Sequence, residues 1–507
     1  MVHYQVPLVD EDGNVYMEFK AGTFDSINCV FSTQTWSEKR LTLANGKTKV
    51  HWSYDTDWKA PGSLYDFWEP VFHAAISGPS IYIPGAGGSI WQLRAGNGAV
   101  VSRINPFGSS VDPTIFTISP PTADANGNIY YNAVKLSAAN IGFYDADAVD
   151  SWLVKISHNG TVSKVSYKTL VPGAPTSCLD TFSYSDLPWP PSPTAVPPSI
   201  TCGSVRTALN AAPAIGLDGT IYSVARRHFS RRYAWIVAVN PNLTPKWASS
   251  LRDHLHDGCG VPVSNGGWLP ANGTSGGCRA GANFGVDPAT NQPGAGEVED
   301  SSSSSITIAP DGLLYGAYSR YNYSQGHLMK FDFHGNFLIA FGFGWDSTPA
   351  IYVHDHTYSI VIKNNHYGDE GSYCNDNTIC PPDRTSNNPA SPEQYFVSQL
   401  NPHLALEWSY QNTNTESCTR NPDNSVTCVS DHPSGFEWCV NAPVVDLAGI
   451  VYGNSEDGNL YAINQGGTLK QLIFQQLAIG AAYTPTSIGP DGKIYSQNAG
   501  HLFVVGK

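Results

Sequence analysis

Charge is scarce in this sequence, and positive charge is scarcer still. Charged residues make up 14% of the 507 positions, and 42 Asp and Glu outnumber 28 Lys and Arg, which gives a formal net charge of -14 at pH 7. A protein that binds nucleic acid through a general electrostatic surface needs the opposite balance, so that class is excluded. The chain also lacks any run of about 18 apolar residues, and no membrane-spanning segment is predicted.

Residues that form turns and strands are abundant instead. The sequence contains 48 Gly, 36 Pro, 26 Tyr and 13 Trp, and 41% of its residues are hydrophobic, which is enough for a sizeable core. Gly and Pro disfavour helix interiors, whereas aromatic residues are frequent in strands. The composition therefore favours an all-β fold and excludes a coiled coil, a helical bundle or a charged disordered chain.

Ten cysteines indicate the compartment of the protein. Eight of them lie in close pairs within polar loops, and the predicted disulfides are Cys178–Cys202, Cys259–Cys278, Cys374–Cys380 and Cys418–Cys428. Cys29 and Cys439 are left free or joined to each other. Cysteine spacings typical of metal sites are absent. Disulfides predict a secreted protein, extracellular or periplasmic, and because no signal peptide follows Met1 we interpret the chain as a mature form.

One phrase recurs along the chain: Pro, a short apolar run, Asp-Gly or Asn-Gly, an apolar residue and Tyr. Clear copies are PLVDEDGNVY from Pro7, PAIGLDGTIY from Pro213 and PVVDLAGIVY from Pro443. With the looser copies there are eight units, which begin near residues 7, 70, 121, 213, 305, 349, 443 and 485. Such self-similarity predicts a fold built from repeated modules.

Each unit continues with two further apolar segments separated by tight turns. Alternating apolar runs joined by Asp-Gly or Asn-Gly are typical of antiparallel hairpins, so each unit supplies four strands. Eight such units predict an all-β, eight-bladed β-propeller of four-stranded antiparallel blades, forming a single domain over residues 1–507. The last unit has only three strands before Lys507. We predict that residues 3–6 supply the fourth strand, beside Phe503, and close the ring.

The repeat resembles that of the PQQ-like (quinoprotein) β-propellers, in which x-P-x-x-x-x-x-G-x-[IV]-Y is followed by [LV]-x-x-[LV]-[ND]-x-x-G and a Trp. That Trp is present at Trp52, Trp247 and Trp408, and the resemblance covers nearly the whole chain. It implies a propeller whose function is either PQQ-dependent alcohol oxidation or non-enzymatic scaffolding, similar to the outer-membrane assembly lipoprotein of the β-barrel machinery. The dehydrogenase pattern also carries two adjacent cysteines that hold the cofactor. No Cys-Cys and no C-x-x-C-H haem site occur here, so no catalytic residue is transferred.

Loop lengths divide the predicted ring into two faces. Turns between the first and second strands, and between the third and fourth, are nearly all tight. The long insertions occupy the other connections: 19–38, 136–150, 226–232 and 363–393 within blades, and 55–69, 169–210, 252–302 and 412–441 between blades. All ten cysteines fall in these insertions. We therefore predict one plain hairpin face and one loop-rich face braced by disulfides, and we place the function on the loop-rich face.

Residues just before each innermost strand should surround the mouth of the central channel on that face. They form an acidic ring with aromatic neighbours, which would bind a polar ligand or a cation. The predicted ligand-binding residues of this ring are Trp68, Glu69, Asn210, Asp300, Asp346, Glu437, Trp438, Asn441 and Tyr483. The alternative is that these polar residues only cap turns.

Arg226 and Arg227 belong to the one basic cluster of the chain, residues 226–232. We predict that they bind a carboxylate-bearing ligand or an acidic partner. The alternative is that the cluster pairs with the neighbouring acidic segment, residues 297–300.

Asp145, Asp147 and Asp150 group three carboxylates within six residues. They are the predicted metal site, for Ca²⁺, because that ion prefers carboxylate oxygens. The alternative is a solvated acidic loop, since the glycine and the distal glutamate of an EF-hand loop are missing.

These observations predict a secreted binding or scaffold protein whose partner is a small polar ligand, a carbohydrate or an extracellular protein. The alternatives are a PQQ- and Ca²⁺-dependent dehydrogenase and a carbohydrate-active lyase, in which histidine and tyrosine would act as base and acid. No cofactor is firmly implied; Ca²⁺ is the first candidate and PQQ the second. No catalytic residue is identified.

Overall fold

One aspartate holds the turn at the start of several repeats. In the computed structural model of the chain, Asp10 accepts hydrogen bonds from its own turn and, at 3.0 Å, from the hydroxyl of Tyr16 on the next strand. Gly13 lies between them with a φ of 76°, a conformation that favours glycine. The same contacts recur at the turns that begin with Asp124 and Asp446. The Asp–Gly–Tyr spacing of the repeat therefore encodes a hairpin.

Hairpins of this kind assemble into eight antiparallel sheets, here called blades 1 to 8 in chain order. The structure describes residues 5–22, 34–44, 47–61, 70–186, 188–256, 258–259, 278–318, 325–366, 394–438, 440, 442–479 and 484–506. In the described residues, blades 1 to 7 have four strands in sequential order and blade 8 has three, and a further short strand joins the second strand of blades 3 and 4. The chain is an eight-bladed β-propeller, which confirms the predicted fold.

The strands of the blades have the following bounds. Blade 1 has Leu8–Val9, Val15–Ala21, Thr35–Ala44 and Lys47–Asp55. Blade 2 has Ala75–Ser77, Ser80–Pro84, Ile90–Arg94 and Val100–Ile104. Blade 3 has Ile115–Thr117, Thr122–Ala123, Ile129–Lys135, Asp150–Ile156 and Val162–Ser166. Blade 4 has Val205–Thr207, Ala214–Ile215, Ile221–Arg227, Ala234–Val239 and Pro245–Ser250.

The second half of the ring is built in the same way. Blade 5 has Thr307–Ala309, Gly312–Tyr318, Gln325–Phe331 and Phe337–Gly344. Blade 6 has Ala350–His354, Thr357–His366, Gln394–Leu400 and Leu406–Gln411. Blade 7 has Val444–Val445, Val451–Asn454, Asn459–Asn464 and Thr468–Phe474. Blade 8 has Ser487–Ile488, Ile494–Asn498 and His501–Val505.

Short elements outside the blades lie in the long insertions or loops. Three hairpins pair Ser177–Leu179 with Ser199–Thr201, Val286–Asp287 with Gln292–Pro293, and Glu416–Arg420 with Val426–Ser430. The helical segments are Tyr167–Leu170, an α-helical turn, and the 3₁₀ turns Ala86–Gly88 and Tyr184–Asp186. The described part of the chain therefore has almost no helix, as its composition predicts.

The hydrophobic core lies between neighbouring blades. Between blades 4 and 5, for example, Tyr222 and Ile236 pack with Leu313, Tyr315 and Met329, and all five side chains are buried. Because each blade buries both faces against its neighbours, the middle strands carry near-continuous apolar runs. Most of the polar functional candidates lie in the loops at the two ends of the blades, but Arg226 and Arg227, predicted in a loop, end the strand Ile221–Arg227.

The tryptophan of the repeat joins one blade to the next. Trp52 on the outermost strand of blade 1 donates its indole N–H to the carbonyl of Ala95 in blade 2 at 2.8 Å. Its ring lies over Gly98, whose φ is 70° and where an added Cβ would lie 2.7 Å from the ring. Trp247 and Gly335 repeat this contact between blades 4 and 5. Here a glycine is required by conformation and by space together.

The ring closes where the N-terminal segment meets blade 8. The Gln497 side chain donates to the carbonyl of Gln5 at 2.6 Å, and the Ser487 hydroxyl donates to the carbonyl of Pro7 at 2.7 Å. Residues 5 and 6 lie outside any strand, and residues 3 and 4 of the predicted closing strand lie outside the described residues. Closure therefore rests on these hydrogen bonds in the described part.

Two glutamates face each other inside blade 1. Glu18 and Glu38 are direct cross-strand partners and are only 6% and 2% exposed. Along the same strand faces, Tyr16 and Arg40 contact carbonyls of blade 2, so the pair points into the interface of these blades. Burial raises the pKa of Glu18 to about 8, and burial together with the neighbouring Glu18 raises the pKa of Glu38 well above its usual range. Both carboxyls therefore favour the protonated form at neutral pH.

Candidate functional site

Three predicted disulfides brace the loop-rich face. Cys178 is bonded to Cys202, Cys259 to Cys278 and Cys418 to Cys428, which confirms those pairings. The predicted Cys374–Cys380 bond, and the cysteines Cys29 and Cys439, lie outside the described residues. Each confirmed bond closes one insertion on itself, so neighbouring cysteines in the sequence indicated their own partners.

Two of these insertions fold together into one unit, here called the cap and defined as residues 177–201 and 278–294. The backbone N–H of Phe182 donates to the carbonyl of Ala289 at 3.0 Å, and that of Arg279 donates to Trp189 at 2.6 Å. Phe182, Trp189 and Ala289 form a small buried core of their own. The cap therefore joins the insertion between blades 3 and 4 to the insertion between blades 4 and 5.

A buried carboxylate, Asp300, in the segment before blade 5, joins two strands of blade 4 to a loop of blade 3. Arg206 binds it with two hydrogen bonds of 2.9 and 2.5 Å, and Arg226 binds it at 2.8 Å. The hydroxyl of Tyr144 also donates to it. The Asp300 and Arg206 side chains are 2% and 0% exposed. Although burial alone would raise it, the two guanidiniums hold the pKa of Asp300 below its usual range.

His228 completes this cluster as a neutral side chain. Its Nδ1 accepts a hydrogen bond from Arg206 Nε at 3.0 Å, which places the proton on Nε2. Nε2 is buried and has no hydrogen-bond partner in the described part of the chain. Burial and the charge of Arg206 lower the pKa of His228 to about 3, and burial and the nearby Asp300 raise the pKa of Tyr144 above its usual range.

The basic segment pairs with the acidic segment, as one of the two interpretations of the sequence had it. Besides the Arg226–Asp300 contact, Arg231 and Arg232 bind the two oxygens of Glu297 at 2.6 and 2.7 Å. Arg227 donates to the carbonyl of Pro175 in the insertion before blade 4. Binding of a separate ligand by Arg226 and Arg227 stays a prediction.

Segments before four innermost strands meet at the predicted channel mouth. Asn210 accepts a hydrogen bond from the backbone N–H of Val71 at 3.0 Å and donates to the carbonyl of Ser302 at 3.3 Å. Ser302 donates in turn to Asp346 at 2.6 Å. These contacts connect the approaches to blades 2, 4, 5 and 6. The other oxygen of Asp346 is buried without a partner among the described residues.

Glu437 and Trp438 lie together at the approach to blade 7. Both contact Asn365 of blade 6, which donates to the carboxylate of Glu437 at 3.3 Å and to the carbonyl of Trp438 at 3.2 Å. The indole of Trp438 is fully buried and donates to the carbonyl of Tyr395. The remaining predicted ring residues, Trp68, Glu69, Asn441 and Tyr483, lie outside the described residues.

The three aspartates of the predicted calcium site serve separate contacts. Asp145 accepts from the backbone of Gly142, Asp147 from Ser204 and Asp150 from Ser166. In the described residues, the one trio of His, Cys, Asp or Glu side chains that converges is Glu416, Cys418 and Cys428, and its cysteines form a disulfide. The aspartates are not brought together, because each one fixes a different stretch of loop.

A narrow cleft opens between the cap and blade 4. It encloses about 10 Å³, room for roughly one water molecule, and its lining includes Leu179, Arg232, Tyr233, Arg252, Asp287 and Thr290. The Arg252 guanidinium lies over the Tyr233 ring at 3.9 Å, and its one polar contact with the described part of the chain is a long one of 3.5 Å to the exposed Asp253. The hydroxyl of Tyr233 accepts from the backbone N–H of Leu179. The cleft thus presents hydrogen-bond donors in a fixed arrangement.

Sequence reasoning missed Arg206, Tyr144 and the residues of the cleft. Arg206 and Asp300 are 94 positions apart, and Tyr144 is 156 positions from Asp300. One signal was present: Arg206 stands alone in an otherwise uncharged stretch, VRTALNAAPAI, and a buried arginine needs a carboxylate partner. The pattern did not indicate which carboxylate that would be.

No protein-family model matches the chain, and no curated protein is significantly similar to it in sequence. Its fold is similar to that of BamB from Moraxella catarrhalis, with 12% identity over 97% of this chain and 93% of that chain and a TM-score of 0.42. Quinohemoprotein alcohol dehydrogenase from Comamonas testosteroni is similar with 11% identity over 98% of this chain and 70% of that chain, and the TM-score is 0.47. A europium-containing methanol dehydrogenase is similar with 12% identity over 92% of this chain and 81% of that chain, and the TM-score is 0.47.

These TM-scores are all below 0.5 and assign neither a family nor a function. The eight-bladed ring itself follows from the strand pairing of this chain. Within the described residues, no helix combines the length and the apolar character needed to cross a bilayer.

Proposed function

We propose that this protein is a secreted or periplasmic binding protein in which the propeller ring supports a rigid cap on its loop-rich face. The disulfides support an oxidising compartment. The observation that carries the proposal is the Asp300 network, because it fixes a loop of blade 3 and the segment before blade 5 on two strands of blade 4. A surface that is ordered before binding lowers the entropic cost of holding a ligand.

The dehydrogenase alternative needs oxygen atoms that are available to Ca²⁺. On the described part of this face, Asp300 is bonded to two arginines and a tyrosine, and Glu297 is bonded to two arginines. A cation placed there would have to displace guanidinium groups from buried carboxylates. Asp300 and Glu297 therefore do not fit a PQQ–Ca²⁺ centre, and we derive no step through that group.

The lyase alternative needs a histidine or tyrosine that can exchange a proton with substrate. His228 and Tyr144 do lie side by side, with their ring centroids 5.3 Å apart. However, the His228 ring is fully buried, and the Tyr144 hydroxyl is committed to Asp300. This pair supports a structural role, so we do not propose lyase chemistry on it.

The proposal is tested with a ligand panel and two matched disulfide variants. Neutral oligosaccharides, acidic oligosaccharides and small carboxylates are screened by thermal shift, and each hit is titrated calorimetrically. The double variant C178S/C202S opens the cap, whereas C418S/C428S opens a hairpin outside it. We expect the first variant to weaken the hit at least tenfold and the second to leave it unchanged.

Two outcomes overturn the proposal. One is equal loss of binding in both disulfide variants although both remain folded by circular dichroism. The other is reduction of a redox dye by the protein in the presence of added PQQ, Ca²⁺ and an alcohol, which would establish the dehydrogenase alternative instead.

A further inference from the structure

We propose that the Cys418–Cys428 disulfide is a thiol–disulfide exchange site, at which a small thiol reduces this bond and leaves the two disulfides at the cap intact. The inference concerns a hairpin outside the cap and goes beyond the proposed function.

The three described disulfides differ in their access to solvent. At the cap, no cysteine of the two bonds is more than 3% exposed. In the third bond, Cys428 is exposed and Cys418 is partly buried. Exchange requires a thiolate to reach one sulfur of the bond, so its rate depends on that access. The Cys418–Cys428 bond is therefore open to attack, whereas the packing of the cap protects the other two.

The bond lies in the middle of a hairpin that forms a two-stranded sheet of its own. It is the third of five cross-strand pairs between Glu416–Arg420 and Val426–Ser430, and the whole second strand is exposed. Arg420 donates to the carbonyl of Phe474 in blade 7 at 3.1 Å. Because a hairpin of two strands is marginally stable in water, the disulfide is what keeps this one closed. Reduction should therefore loosen the hairpin and leave the blades intact.

Reduction proceeds in two exchange steps. A thiolate attacks the exposed Sγ of Cys428 and bonds to it, and the electron pair of the broken S–S bond leaves with Cys418 as a thiolate. A second thiolate then attacks the reagent sulfur of this mixed disulfide and frees Cys428. The two reagent thiols end as a disulfide, and the two protons that they lost return to the cysteines through solvent. The thiol is thus oxidised as the hairpin gains two electrons.

Glu416 gives the site a charge preference. Its carboxylate lies within 4.8 Å of both sulfur atoms, and its side chain is exposed. A negative charge at this distance repels an incoming thiolate and disfavours the thiolate that leaves. A positively charged group on the incoming thiol offsets that repulsion. The site therefore favours small cationic thiols over small anionic ones.

The test is partial reduction of the full, disulfide-bonded chain under native conditions, with dithiothreitol as the neutral probe. Released thiols are alkylated and located by peptide mass spectrometry. We expect Cys418 and Cys428 to be alkylated at least about tenfold faster than the four cysteines at the cap, because only this bond is exposed. The circular dichroism of the protein should not change.

Two charged thiols test the role of Glu416. Cysteamine is the cationic probe and 2-mercaptoethanesulfonate the anionic one, and each rate is divided by the concentration of its thiolate. We expect cysteamine to react faster at Cys418–Cys428, and Glu416→Gln should reduce the ratio of the two rates about threefold. The control is Glu11→Gln, which removes an exposed carboxylate from the first turn of blade 1 and should leave the ratio unchanged.

The inference is wrong if the cysteines at the cap are alkylated as fast as Cys418 and Cys428 in protein that stays folded, or if dithiothreitol does not reduce this bond. An unchanged ratio in Glu416→Gln would overturn the charge preference. Failure here together with a cap-dependent hit from the ligand panel would leave the proposed function standing, because that hit does not involve the hairpin.

Discussion

Replacing Asp300 by Asn should destabilise the protein far more than the loss of any surface charge. The substitution keeps the size of the side chain but removes the negative charge that two buried guanidiniums share. Arg206 is 0% exposed and Arg226 is 5% exposed, so neither can turn to water. The NH₂ group of the new asparagine would also face the N–H groups of the two guanidiniums, and donors cannot bond to donors.

The magnitude follows from the cost of an uncompensated buried charge. Removal of one partner from a buried ion pair costs about 3–5 kcal/mol. Arg206 keeps its hydrogen bonds to His228 and Thr207, and Arg226 keeps one to the carbonyl of Val298. These contacts moderate the loss, so we expect a fall in the free energy of unfolding of about 3 kcal/mol.

Urea denaturation followed by tryptophan fluorescence measures this change. The matched control is Lys246→Gln, which removes an ion pair with Asp218 whose side chains are 36% and 63% exposed. That pair should contribute about 0.5 kcal/mol or less. If Asp300→Asn costs no more than the control, the network is not what holds the loop of blade 3 and the segment before blade 5 against blade 4.

Three further substitutions test separate parts of the structure by the same denaturation assay. Relative to His228→Gln, the free energy of unfolding of the unsubstituted protein should fall by about 2 kcal/mol between pH 7 and pH 5. The reason is that the folded-state pKa of His228, about 3, lies below the unfolded value near 6.5, so the unfolded chain takes up the proton first. A difference between the two proteins that does not change with pH would contradict this. Relative to Glu18→Gln, the unsubstituted protein's free energy of unfolding should instead fall by about 2.5 kcal/mol between pH 5 and pH 7, because a folded-state pKa of about 8 lies above the unfolded value and ionisation favours unfolding. A difference of the opposite sign would be inconsistent with a buried carboxyl. Gly98→Ala should lower the free energy of unfolding by at least about 1 kcal/mol more than Gly78→Ala, because both glycines have positive φ but only Gly98 lies against the Trp52 ring. Equal losses would show that the contact with Trp52 does not restrict this position.

The repeat made the ring predictable because its signals are local. An aspartate, a glycine and a tyrosine at fixed spacing build one hairpin within ten residues, as at Asp10, and eight copies fix the number of blades. Disulfides such as Cys418–Cys428 were predictable for the same reason, since each bond closes a short insertion. The alternation of tight turns and long insertions then divided the ring into two faces.

The site was less predictable because its contacts depend on distant loops. Whether Arg226 meets a ligand or an internal carboxylate depends on where Asp300 lies, and that is set by the packing of three blades. The spacing of Asp145, Asp147 and Asp150 suggested one metal site, but the path of the loop sends each carboxylate to its own partner. The cleft at Arg252 is formed by four separate segments of chain, and no single pattern in the sequence reports it.

The central claim is that ligand binding belongs to the cap on the loop-rich face. Hydrogen–deuterium exchange of the disulfide-bonded protein, with and without a saturating ligand from the panel, tests this claim most directly. The account predicts slower exchange in residues 177–201 and 278–294 and unchanged exchange in the tight turns of the plain hairpin face. Protection confined to those turns, with none in the cap, would contradict it.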